Sequence, residues 1–231
     1  MKLFIHLLVC GSCLACNKKD TAVYVPPPVF TAVKSWLALG DSYTIGQSVP
    51  VGDRFPNQTT SWLRQNGISI NTPDYIATTG WTTTVLMNNI QAQNPGHYDV
   101  VSLLIGVNDE YQLHDTTGYR QRFAGLLDIS VRIANGKKGN VFVLSIPDYS
   151  VTPYASGSDT ARIRREIDMF NAINREVTLA YGCPYLDITP STRLARYDPS
   201  LIAIDGLHPS GLEYKVWADR LGPMMLPVLK Q

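Results

Sequence analysis

Charge is scarce in this chain. Only 17% of the 231 residues are Asp, Glu, Lys or Arg, and the net charge is +1. Such a surface offers no electrostatic footprint for a nucleic acid or an acidic partner. Cysteine is equally thin: three of the four, Cys10, Cys13 and Cys16, crowd the N-terminus. Only Cys183 lies beyond them, without a mate for an internal disulfide, so the domain must hold together by its core. Next to Pro184, Cys183 reads as a small packed residue and not as a nucleophile. The chain has no Gly-x-Gly-x-x-Gly, no Walker lysine, no His-Glu-x-x-His and no Cys/His cluster past the N-terminus. No motif for a dinucleotide, a nucleoside triphosphate or a metal is therefore present, and no cofactor is expected. Internal repeats and a second domain are also missing from the pattern, and the length suits one domain with a sizeable core.

The N-terminus is different in kind. Met1-Lys2 supplies a positive start and residues 3–9 an apolar run, far short of the ~20 residues a membrane span needs. This reads as a secretory signal. The Cys-x-x-Cys-x-x-Cys spacing suits a metal or redox site, but an export signal supplies no fold to hold one. Leu14-Ala15-Cys16 resembles the end of a bacterial lipobox, which implies a signal peptide over 1–15 and lipidation at Cys16. Cys13, preceded by Gly11-Ser12, is the alternative lipidation site. A polar stretch and Pro26-Pro27-Pro28 follow, an extended tether over 16–33 ahead of a domain over 34–231. Two or more acyl chains anchor a protein stably, whereas one is marginal. The expected location is the bacterial cell envelope, lipid-anchored, facing the periplasm or the outer surface.

Past the tether, short apolar runs alternate with longer amphipathic ones. Strands are expected at 35–39, 75–77, 100–105, 141–146 and 185–188, and helices at 58–65, 83–91, 118–134, 160–181 and 211–221. Ile163, Ile167, Phe170, Ile173, Asn174 and Val177 recur at three- and four-residue spacing and form a buried stripe. Strand–helix alternation with near-continuous apolar strands argues for an α/β fold of three layers, a parallel sheet covered by helices. In such sheets, ligands bind beyond the carboxyl ends of the strands.

Chemistry-bearing residues fall at those ends. Ser42 follows the run Trp36-Leu37-Ala38-Leu39, and Asp205-Gly206-Leu207-His208-Pro209 holds a carboxylate and an imidazole three residues apart before the last helix. A serine hydroxyl is a weak nucleophile until a base takes its proton and a carboxylate orients that base. Of the histidines, His6 lies in the signal, and His97 precedes a strand and so belongs to the opposite end of the sheet. His114 lies in a polar segment, whereas His208 has Asp205 beside it and a proline behind it that favours an extended backbone. His208 is the expected base, Asp205 its orienting acid, and His114 the rival. Asp41 and Asp109 read as structural, one bonding turn amides and the other serving as a local cap or loop clamp.

Gly40-Asp41-Ser42-Tyr43, Gly106-Val107-Asn108-Asp109 and Asp205-Gly206-Leu207-His208-Pro209, in that order, resemble the GDSL/SGNH hydrolase family, with Tyr43 in place of the usual Leu. Thr78-Thr79-Gly80-Trp81 stands where that family keeps a glycine. The resemblance implies a flavodoxin-like strand order. It also implies an oxyanion hole built from the Ser42 and Gly80 amides and the Asn108 side chain. Tyr43, Trp81, Tyr111, Tyr149 and Tyr154 fall in segments at the active edge, and specificity is expected to vary in the loop 147–160.

The expected activity is a serine esterase working through an acyl-enzyme, with short acyl or O-acetyl esters favoured over lysophospholipid or acyl thioester. Its partners are then a small-molecule, glycan or lipid ester and, through the anchor, a membrane. The rival of another class is a non-catalytic, surface-anchored glycan-binding lipoprotein, for which the tyrosines would stack on sugars. The set Ser42, Asn108, Asp205 and His208 argues against it, because a binder needs no activated nucleophile.

Overall fold

The computed structural model describes residues 32–231. The expected signal, most of the tether, and Cys10, Cys13 and Cys16 lie outside the described residues.

Five strands form one parallel sheet: β1 (Trp36–Gly40), β2 (Asp74–Ala77), β3 (Val100–Leu104), β4 (Val141–Leu144) and β5 (Tyr185–Leu186), in the order β2-β1-β3-β4-β5. β1, β3 and β4 are buried at every position, as strands covered on both faces must be. This is the flavodoxin-like order, whose switch point lies between β1 and β3.

Among the described residues, eight α-helices accompany the sheet: α1 (Ser42–Ile45), α2 (Phe55–Gln65), α3 (Thr83–Gln93), α4 (Val107–Leu113), α5 (Thr116–Ile133), α6 (Thr160–Tyr181), α7 (Thr189–Thr192) and α8 (Gly211–Leu229). α2 packs along α8, and α5 packs on α3 and α6, giving the two helical layers. Along α6 the residues Ile163, Ile167, Phe170, Asn174 and Val177 are buried, the stripe its periodicity predicts.

Two helix boundaries depart from the sequence expectation by three residues or more, and proline is involved in both. α2 starts at Phe55 and not at residue 58, because Pro56 sits in the first turn, where its missing N–H is no loss. α8 was expected to stop at residue 221, before Gly222-Pro223, yet it runs on through Pro223 and Pro227 to Leu229. Leu221, Met225 and Leu229 recur every four residues and are all buried, and that burial offsets the backbone bonds the prolines remove. α4, over residues where the sequence pattern marks no helix, is a helix of two turns.

Candidate active site

Ser42, Gly80, Asn108 and the segment after β4 all lie beyond the carboxyl ends of the strands, as the parallel topology requires. Ser42 opens α1. Asp41 caps that helix, its Oδ1 accepting from the Tyr43 amide at 3.0 Å, so the aspartate does the structural work its position suggested. First-turn amides have no partner within a helix, and the Ser42 N–H is one of them.

His208 arrives from the far end of the chain on a closed loop. The Ala203 amide donates to the His208 carbonyl at 2.7 Å, Ser210 N donates to Leu201 O at 2.8 Å, and Ser210 then caps α8. The buried imidazole bridges the two other groups: Nε2 lies 2.9 Å from Ser42 Oγ, and Nδ1 2.7 Å from Asp205 Oδ2. The Tyr43 ring packs at 4.9 Å, tilted, against the His208 ring.

Asp205 is fixed from several sides. Its Oδ1 accepts from the amides of Leu207 and His208 at 3.0 Å each, and its Oδ2 accepts from Ser48 Oγ at 2.7 Å. Partial burial works to raise its pKa, but the Ser48 hydroxyl and the His208 and Leu207 amides outweigh it and hold the carboxyl down at about 2. It is therefore a carboxylate at neutral pH, the form that accepts from the imidazole and stabilises its cation. Ser48 was not foreseen; it lies 157 residues from Asp205 and carries no local motif.

Asn108 stands in the first turn of α4. Its Nδ2 donates to the Trp81 carbonyl at 3.1 Å, while its second contact, to Asp41 Oδ2, is long at 3.4 Å. The bond to Asp41 is the weaker of the two, and the residue lines the cavity of the site. Gly106 ahead of it has φ +131°, and a Cβ there would run into Tyr119, so both conformation and space demand glycine. Asp109 clamps the helix: it accepts from Thr83 N at 2.8 Å and Thr83 Oγ1 at 2.5 Å, and pairs with Arg122 at 3.3 Å. Gly80 also has positive φ (+80°), with open space where a Cβ would go, so the backbone conformation alone selects it; its carbonyl accepts from Gln112 Nε2 at 3.0 Å.

A cavity of about 110 Å³ joins these groups, lined by Ser42, Gly80, Asn108 and His208 and walled by Tyr111, Tyr149 and Tyr154. The Tyr111 and Tyr154 hydroxyls meet at 2.9 Å. Trp81, expected in this wall, packs its ring on the core and gives the site only its carbonyl. His114 bonds to Glu166 Oε2 at 2.8 Å, not to the serine. His97 lines a separate cavity of about 370 Å³ with Asn94 and Arg132, near the start of β3 and without a serine or carboxylate. Cys183 is buried, and burial pushes its thiol up to about 11, which suits packing and not attack.

Burial, assisted by the nearby charge of Asp109, pushes the Asp41 carboxyl up to about 8 despite bonds from the Tyr43 amide and Asn108. A folded pKa above the ordinary value of 3.8 means the folded state binds the proton more tightly. The resulting stability is complete below pH ~4 and is lost as pH rises through ~8. The melting temperature is thus expected to fall from pH ~4 to ~8 and to level off above. In Asp41→Asn, uncharged throughout, that fall should be shallower; an identical slope in both proteins would contradict it.

A serine against an imidazole held by a carboxylate, at the carboxyl edge of a parallel α/β sheet, is the arrangement that serine hydrolases use for acyl transfer. Residues 38–216 match the model of the GDSL-like Lipase/Acylhydrolase family, and the chain belongs to that family. Among curated proteins, the secreted effector protein SseJ of Salmonella typhimurium is 36% identical over 73 residues, which is 32% of this chain and 18% of that protein. The chain thus matches less than a fifth of that relative's length. The fold resembles a carbohydrate acetylesterase family member from Sinorhizobium meliloti, with TM-score 0.63 at 18% identity over 86% of this chain and 100% of the other. It is similar also to the psychrotrophic esterase EstA from Pseudoalteromonas, with TM-score 0.62 at 14% identity over 86% and 100%. The acetyl xylan esterase AlAXEase gives a TM-score of 0.61 at 17% identity over 81% and 97%.

Proposed function

We propose that the protein is a serine esterase of short acyl esters, O-acetyl groups on carbohydrate foremost, working through an acyl-enzyme. The unbroken relay from Asp205 through His208 to Ser42, opening on a small cavity, carries this reading. His208 Nε2 takes the Ser42 proton as Oγ attacks the carbonyl carbon, and Asp205 stabilises the imidazolium. The Ser42 and Gly80 amides and the Asn108 side chain donate to the oxyanion as charge develops. Collapse expels the alcohol, protonated by His208; a water activated by the same imidazole then releases the acid.

The cavity of about 110 Å³ is small beside the ~300–1,000 Å³ of sites for drug-sized ligands, which supports a short acyl group. The neighbours titled as acetylesterases agree with that choice. Rates should fall steadily from acetyl to palmitoyl nitrophenyl esters, and acetylated xylose should turn over faster than lysophospholipid or acyl thioester. A tenfold preference for long acyl chains or lysophospholipid would overturn the substrate assignment.

The lipobox-like Leu14-Ala15-Cys16 supports anchoring to a bacterial envelope membrane through acylated Cys16. Full-length protein expressed in a bacterial host should partition into detergent, with an intact mass for a chain beginning at acylated Cys16. Cys16→Ala should release it or block processing. A lipid-free chain starting well past Cys16 would make it a secreted enzyme; acylation at Cys13 would move the anchor there.

A further inference from the structure

Behind the tyrosine wall, away from Ser42, one side-chain cluster is left unexplained by ester hydrolysis. Glu110 is fully buried on α4, one turn ahead of His114, and both face Glu166 of α6. One ligand atom from each of the three lies within 4.8 Å of the other two. Glu110 Oε2 accepts from the Tyr149 hydroxyl at 2.9 Å, but Oε1 is buried and finds no donor among the described residues. Its carboxyl also lies beside that of Glu166. Two carboxyls in contact need a proton or a cation between them, and a buried oxygen without a donor is costly. Arg162 does not supply it, since it stands 3.7 Å from the other Glu166 oxygen, Oε1, and its side chain is about half exposed.

We propose that Glu110, His114 and Glu166 form a structural site for a divalent transition-metal ion, with Zn²⁺ the favoured species. One imidazole nitrogen and two carboxylate oxygens suit zinc, and a water completes four-coordination. The Glu110 oxygen without a donor becomes a ligand, and His114 Nδ1 exchanges its hydrogen bond to Glu166 for the metal. The His114 side chain is 41% exposed and that of Glu166 22%, so the ion has an entry path. Closing the cluster pins α4, which carries Asn108, to α6. Through Glu110 it also braces Tyr149 in the pocket wall. No motif announces the site, because Glu166 comes 52 residues after His114.

The test is Zn²⁺ titration of the full chain carrying Cys10→Ser, Cys13→Ser and Cys16→Ser, so that free thiols do not compete. The parent should bind one equivalent more than either Glu166→Gln or His114→Asn, or bind it at least tenfold more tightly. Its melting temperature should rise with Zn²⁺, as binding to the folded state alone requires, while the variants' should not. Glu110→Gln risks the fold, so the two more exposed positions carry the comparison, with retained ester turnover as the check on folding. Equal Zn²⁺ binding and equal thermal response in parent and variants would overturn the proposal and leave a shared proton between the carboxyls.

Discussion

Ser42→Ala is expected to abolish ester turnover, by a factor on the order of a million, the loss that follows removal of such a nucleophile. The fold should survive. The Ser42 hydroxyl has one side-chain partner, His208 Nε2 at 2.9 Å, and α1 is capped by Asp41, not by the serine. Circular dichroism and the melting temperature should therefore match the parent while the acyl-enzyme disappears. His208→Ala should be comparably severe, since without the imidazole the hydroxyl keeps its proton. His114→Ala should leave most turnover, because that ring pairs with Glu166. Near-normal rates in a folded Ser42→Ala protein would sink the mechanism, and a reversal of the two histidine effects would move the base to His114.

Asn108→Ala should lower kcat by about 10²–10³-fold, roughly 2.7–4 kcal/mol of transition-state stabilisation. KM should move far less, because the oxygen carries full charge mainly in the transition state. Asn108→Asp should be at least as damaging: a carboxylate donates nothing, and it would face the Trp81 carbonyl and the Asp41 carboxyl that Nδ2 now touches. If Asn108 merely fastened α4 to the Trp81 turn, both changes would lower the melting temperature and leave kcat in the surviving folded protein intact. The split between kcat, KM and melting temperature separates the two roles.

Much of this protein was legible from local signals. Apolar runs and their spacing mark all five strands and the long helices, since burial on both faces or on one stripe imposes its own period on the sequence. Parallel alternation then sends Ser42, Gly80 and Asn108 to one edge, whatever the details of packing. Asp205 and His208, three residues apart, announce a carboxylate–imidazole pair unaided. The signals fail where a role is fixed by a contact distant in sequence. Ser48 has no motif, and only the fold brings its hydroxyl to Asp205, where it helps hold that carboxyl down. Asp109 reads as a local cap, yet it closes onto Thr83 and Arg122 on two other helices. α8 continues through two prolines because burial against the rest of the domain outweighs a local stop signal. His114 is the rival base in the sequence, and only the tertiary structure gives it a different partner, Glu166 on α6. Periodicity and capping act over one or two turns of chain, whereas a side chain's partner, and with it its protonation and its chemistry, is set by whichever group packing brings within about 3 Å.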